Sequence, residues 1–418
     1  MPIIAYFTLA STVLIVVFSP RVFSRWTLGP AFAGISAALV LVSTGVVSLS
    51  DIAHAIVLHW RPFVMIISTL IIATIAEDTG VLDRIADRLF RAPNLTPARL
   101  FFRVFVLCST VATLFNNDQM VLLMTPLVLT FIKRRYPARH DLLTPFAFAV
   151  FMAIGVAPMY ISNPMNMIGA EFAHVNFNQY VIAMLPCALA GWVVTYPLIR
   201  LFFRGQLQDT SGALVADDTQ VTPPSSEHFV IYLILAAVIL GYPTVAYFDG
   251  NGVWMVAASG AVASVLLGVW SNHTTVLRVI VRNAPWDIFI FLLGVYVISI
   301  GLRNVGFTQL LASAYQGANL FVIGYVSAIG SALINNHPMS LINLMTLQSM
   351  PTAGRNEVFA ALIGGDIGPR ILPGGSLAGL LWVAACQRQG LRISLHTFVV
   401  LGILTTIPTI AISIWLLT

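Results

Sequence analysis

The stretch Leu114-Phe-Asn-Asn-Asp-Gln-Met120 decides how this chain is read, because Leu333-Ile-Asn-Asn-His-Pro-Met339 repeats its pattern in the second half. Each Asn-Asn pair interrupts an apolar segment, near 101–132 and near 308–349. The chain around them has 418 residues, 58% of them hydrophobic and only 9% charged. A soluble domain carries about 25% charged residues, and so few charges cannot cover a water-facing surface. Apolar runs near 20 residues recur along the whole length, each able to cross ~30 Å of hydrocarbon. The solvent for most of this protein is lipid.

Hydropathy places spans near 2–19, 28–49, 62–82, 142–173, 180–201, 229–248, 253–270, 285–302, 356–387 and 394–417. Arginine decides what the two interrupted segments do. Arg84, Arg88, Arg91, Arg99 and Arg103 precede the first; Lys133, Arg134, Arg135 and Arg139 follow it. Basic loops stay in the cytoplasm, so both ends of 101–132 are expected on one side. The segment therefore enters and returns as a re-entrant hairpin with Asn116-Asn117 at its tip. Propagating that choice puts most of the 21 Lys and Arg residues inside and both termini outside. The net charge of +5 is thus read as topology and not as a nucleic-acid footprint.

The polar stretch 205–228, with Asp209, Asp217, Asp218 and Pro223-Pro224, reads as a cytoplasmic linker. It divides a first five-span repeat, 1–204, from a second, 229–418. An odd number of spans inverts the second repeat, which places its hairpin on the outer side. The expected fold is an all-α integral membrane protein: about ten transmembrane helices plus two re-entrant hairpins in two inverted-topology repeats. The run from Pro2 to Pro20 has no basic residue before it, so a retained first span is expected rather than a signal peptide.

Each Asn-Asn segment precedes a span broken by Gly and Pro. These are Gly155…Ser162-Asn-Pro-Met-Asn166 and Gly364-Gly-Asp-Ile-Gly-Pro369…Pro373-Gly-Gly-Ser376. Paired broken spans point to a transport site near the bilayer midplane. Unwound backbone in a membrane must face protein, water or a ligand. Asn side chains add both acceptors and donors. Substrate contacts are therefore expected from Asn116, Asn117, Asn163, Asn166, Asn335, Asn336, Gly374, Gly375 and Ser376. An isolated Asn-Asn pair could equally be a local turn cap.

Asp118 follows the first tip, and a carboxylate at membrane depth is costly unless it is paired, protonated or functional. It is the first candidate for proton coupling. His337 holds the matching position in the second half and is the second, since imidazole exchanges protons near neutral pH; a neutral His packed behind Pro338 is the equal alternative. Asp366 and Arg370 are four residues apart and are expected to form a structural charge pair. Cys108, Cys187 and Cys386 are dispersed, so neither a thiolate metal site nor a disulfide framework is expected. No metal or cofactor site is read from the chain. Lys133 is the only lysine and does not sit in a phosphate loop, which excludes an ATPase within this chain.

These motifs resemble the arsenical pump membrane protein family, the arsenite/antimonite efflux permeases of the ion transporter superfamily. The likeness is carried by Arg282-Asn-Ala-Pro-Trp-Asp287, Gly301-Leu-Arg-Asn-Val-Gly306, Asn335-Asn336 with Pro338, and above all by Ile363-Gly-Gly-Asp-Ile-Gly-Pro-Arg370 through Trp382. In the first half Asn117-Asp118, Thr125-Pro126-Leu127-Val128 and Ser162-Asn163 with Asn166 match less tightly. The resemblance implies a multi-pass permease of the cell (inner) membrane that exports trivalent arsenite and antimonite. Exchange for protons is implied, or in some systems a partnering cytosolic ATPase, and relatives are often homodimers. Gln119-Met120, His337 and Met339-Ser340 depart from the family pattern, and they lie beside the tips. The alternatives are a small-anion or sodium/proton transporter of the same superfamily, or a passive channel for a small neutral hydroxide. A membrane enzyme is a further class, without a motif to support it.

Overall fold

The computed structural model describes residues 1–18, 21–22, 26–81, 84–85, 96–208, 226–249, 252–270 and 286–418. The acidic and proline-rich part of the expected linker, with Arg25, Arg88, Arg91, Arg278 and Arg282, lies outside the described side chains. Among the described residues the structure is all-helical apart from a two-residue antiparallel pairing of Arg21–Val22 with Trp26–Thr27.

The first half begins with α1 (Pro2–Phe18), α2 (Pro30–Ser43), α3 (Leu49–Leu58) and α4 (Trp60–Asp78). Helices α5 (Pro97–Leu114) and α6 (Asn117–Arg135) meet at the first Asn-Asn. The expected span 142–173 is broken into α7 (Leu143–Met152) and α8 (Pro164–Phe172), and α9 (Phe177–Phe202) follows. The second half runs α10 (Ser226–Phe248), α11 (Val253–Trp270), α12 (Trp286–Asn304) and α13 (Phe307–Tyr315). Helices α14 (Leu320–Ile334) and α15 (Asn336–Gln348) meet at the second Asn-Asn. The other broken span is α16 (Arg355–Ile367) with α17 (Leu377–Arg388), and α18 (Leu395–Trp415) ends the described chain.

Among the described residues six helices are long and apolar enough to cross a membrane: α4, α5, α9, α11, α18 and the Phe229–Phe248 part of α10. The remaining expected spans are short, broken or bent. Two of them, α1 and α2, have 17 and 14 residues. Two are the broken pairs α7/α8 and α16/α17. The last, α12, is bent by 77° from α13, with Gly306 at φ 90° making the corner, a backbone conformation open to glycine. The arms of the second hairpin are α14 and α15, and residues 307–315, expected within that hairpin, form the separate helix α13. Helix α5 has 18 residues, ~27 Å at 1.5 Å per residue, so the first hairpin's leading arm is as long as a full span.

Packing is reciprocal between the halves. Helix α2 lies against α12 and α11 against α4. Helix α6 lies against α17 and α15 against α8, so each hairpin packs on the other half's broken span. Helices α14 and α16 approach closely, so that a Cβ on Gly364 would overlap the carbonyl oxygen of Gly324. Lipid gives apolar helices no hydrophobic drive to associate, so small residues that let backbones touch supply the packing. Large apolar side chains such as Phe7, Leu39, Ile182, Phe248 and Trp270 point outward, as a bilayer-facing surface requires.

Candidate functional site

Residues 153–163 and 368–376, between the halves of the two broken spans, carry no α-helix. Main-chain groups around the first break meet the side chains of Asp366 and Arg370 instead of lipid. Asn163 caps α8 by accepting from Met165 N–H at 3.0 Å, while Pro164 occupies the first helical position, where its missing N–H costs nothing. Ser376 caps α17 by accepting from Gly379 N–H at 3.0 Å. The tips use the same chemistry. Asn116 accepts from Asp118 N–H at 2.9 Å, and Asn335 from His337 N–H at 3.3 Å.

One buried cavity collects these parts. It is lined by Asn116, Asn117 and Asp118 of the first tip, Asn336 and His337 of the second, Asn163 and Pro164 of the first break, and Asp366, Pro369, Arg370, Ser376 and Ala378 of the second. Phe151 and Ile154 close its apolar side. Its volume is about 20 Å³, room for about one water molecule.

The two breaks hold each other through complementary polar groups. Asp366 receives Ala157 N–H at 3.0 Å, Asn163 Nδ2 at 2.7 Å and Asn166 Nδ2 at 2.8 Å. Arg370 donates from Nε to Ile154 O at 3.0 Å, from Nη2 to Met152 O at 2.8 Å and again to Ile154 O, and from Nη1 to Thr195 Oγ1 at 3.0 Å. Asp366 and Arg370 still act on each other electrostatically, but their hydrogen bonds go to two separate clamps. Helix α16 ends at Ile367 and Gly368–Arg370 is a 3₁₀ turn, so the four-residue spacing no longer puts the two side chains on one helical face. Asp118 is 4% exposed and its carboxyl group meets the main-chain N–H of Ala378, at the start of α17. His337 is 2% exposed, with Nδ1 3.2 Å from Asn335 Oδ1 and its ring edge-on to Phe291.

Not every predicted contact residue reaches the cavity. Asn335 turns away: its Nδ2 donates to Gly374 O at 3.3 Å, and its own backbone adopts φ 79°. Gly374 and Gly375 are sites of tight packing, where a Cβ would press on Val17 and on Pro369 and Ala332 respectively. Asn166 stands behind Asp366. Asn116, Asn117, Asn163, Asn336 and Ser376 do line the cavity, with Asp118 and His337 beside them. Sequence reasoning missed Thr195 and the main-chain groups of Met152, Ile154 and Ala157. Thr195 looks like any hydroxyl in an apolar span, and main-chain groups leave no mark in a sequence. The buried cysteines Cys108, Cys187 and Cys386 are not among the lining residues. The lining can offer hydroxyl, amide and carboxyl contacts to a small polar solute, and a carboxyl group able to carry a proton.

A family model described as arsenical pump membrane protein matches residues 4–417. The arsenical pump membrane protein of Escherichia coli is 28% identical over 417 residues, covering 96% of this chain and 95% of that protein. That of Yersinia enterocolitica is 29% identical with the same coverage. The solved structure of Neisseria gonorrhoeae MtrF, described as illuminating a class of antimetabolite efflux pumps, is similar with a TM-score of 0.56. It covers 100% of this chain and 94% of that one at 12% identity, a likeness of fold.

Proposed function

The chain belongs to the arsenical pump membrane protein family, and from that premise we propose that it exports trivalent arsenite and antimonite in exchange for protons. That it is a multi-pass membrane efflux transporter and not an enzyme follows from the family and the helical fold. The observation that carries the finer reading is the convergence of both Asn-Asn tips and both broken spans on one buried cavity with Asp118 in its wall. At neutral pH arsenite is an uncharged trihydroxide. Asn amides and the Ser376 hydroxyl can meet its hydroxyls without demanding a fixed charge. A lining without thiols supports release, because a carrier must bind weakly enough to let go. We place the coupling proton on the Asp118 carboxyl group, with His337 as its neighbour across the cavity. The same reading includes two inverted repeats, 1–204 and 229–418, joined by a cytoplasmic linker, with the two hairpins entering from opposite sides.

The test is accumulation in everted membrane vesicles, comparing arsenite, antimonite and phosphate. Arsenite and antimonite are expected to accumulate against a gradient, phosphate is not, and a protonophore should abolish accumulation. Uptake indifferent to the protonophore would sink proton coupling. Asp118→Asn is expected to insert normally and to lose concentrative transport, on the order of a hundredfold for removal of an essential proton-transfer group. Wild-type accumulation by that variant removes Asp118 from the mechanism. Association with a cytosolic ATPase and a homodimeric state belong to the same proposal, tested by co-purification and by mass in detergent.

A further inference from the structure

Arg370 occupies a position that its neighbours explain only in part. A brace between two helices needs a side chain of the right length. Here the brace is a guanidinium, always charged in proteins, and 2% exposed inside a membrane protein. Its acceptors are the carbonyl oxygens of Met152 and Ile154 and the hydroxyl of Thr195. The carbonyls are those released where α7 unwinds. Thr195 is itself 3.0 Å from Thr409 Oγ1 on α18. The backbone of Arg370 is held in place too, since a Cβ on Gly402 of α18 would overlap its carbonyl oxygen.

Unwound carbonyls at the break of a membrane helix are the groups that coordinate a mobile monovalent cation in ion-driven carriers. In this chain they are filled by a cation that is covalently part of the other half. We propose that Arg370 is a tethered substitute for a coupling metal ion at the 152–154 break, and that it thereby restricts coupling to protons and excludes sodium. Asp366 plays the opposite part in the same joint, since its carboxylate receives the N–H groups of that break. The second break thus inserts one fixed cation and one fixed anion into the first, and neither ion has to be collected from solution. The inference rests on the transport reading above but not on the identity of the solute.

Thermal unfolding of the purified, detergent-solubilised protein tests it without any solute. Sodium, guanidinium and choline chlorides are compared at equal ionic strength. A ligand that binds only the folded protein raises its melting temperature. Each variant is read against wild type in the same salt, because guanidinium lowers the melting of any fold. Arg370→Ala should unfold earlier, and sodium or guanidinium, but not choline, should restore part of the loss. Arg370→Gln, which keeps bulk without charge, should show the same selective rescue if the alanine variant cannot be purified. Arg370→Lys keeps the charge and should follow wild type in all three salts. In vesicles, wild-type transport should be unchanged when choline replaces sodium. Arg370→Ala should fall by roughly tenfold or more, as removal of one buried charged partner implies, and recover with added guanidinium. A sodium-dependent wild type overturns the proposal. So do neutral variants whose melting is blind to the cation, which would leave Arg370 a brace only. Selective rescue of melting together with no arsenite uptake by wild type would overturn the arsenite reading and leave this one standing.

Discussion

At the scale of single residues the two tips are not equivalent. Asn116 has φ −65° and ψ 139°, ordinary extended backbone. Asn335 has φ 79° and ψ 145°, a combination that costs ~1–3 kcal/mol for a residue with a side chain. Asn335 offsets it with a cap on His337 N–H and a bond to Gly374 O. Asn335→Gly removes the strain along with the cap and is expected to change stability by under ~1 kcal/mol. Asn335→Ala keeps the strain and loses both bonds, so a loss of about 2 kcal/mol is expected. Thermal unfolding of the pair in one detergent checks the order, and a glycine variant less stable than the alanine variant refutes it. The tip residues were legible in the sequence because two adjacent amides inside an apolar run are costly in lipid unless the segment turns there and buries them. The separate clamps of Asp366 and Arg370 were not legible because the i, i+4 rule presumes a continuous helix, and this one stops at Ile367. Nothing in the sequence marks Met152 or Ile154, whose contribution is a carbonyl oxygen.

At the scale of elements, hydropathy recovered the spans and passed over α3. Its signal was nonetheless present. Ser48-Leu-Ser-Asp51 is a capping box, with Ser48 Oγ accepting from Asp51 N–H at 3.1 Å and Asp51 Oδ2 accepting from Ser48 N–H at 3.0 Å. The Ser48 hydroxyl also donates to Asp51 Oδ2 at 2.7 Å, and this bond together with that from Ser48 N–H holds the Asp51 carboxyl below the usual carboxylate range. Ser48→Ala should fray α3 by about 1 kcal/mol, seen as faster amide exchange over residues 49–53 with transport intact; unchanged exchange there refutes the assignment. Breaks were legible where Gly and Pro cluster, but their lengths were not, since unwinding is set by what the freed groups meet across the molecule. The contact between α14 and α16 leaves no room for a side chain at Gly364. Gly364→Leu should push the two helices apart and prevent accumulation of folded protein, whereas Leu333→Ala, on an outward-facing side chain that is 62% exposed, should not. Fluorescence-detected size exclusion distinguishes the two outcomes.

At the scale of the whole molecule, reciprocal packing joins every functional part of one half to the other. The hairpin of each half lies on the broken span of its opposite, so neither tip can move without shifting a break. The cavity between them holds about 20 Å³, room for about one water molecule and too little for the trihydroxide proposed above. The described conformation is therefore closed around its site, and loading requires a rearrangement. Closure of this kind can be read electrically. A molecule that must rearrange for each solute moves charge in single events, paced by the μs–ms motions of packed helices. In a planar bilayer it should give a smooth current that saturates with solute and never resolves into unitary steps.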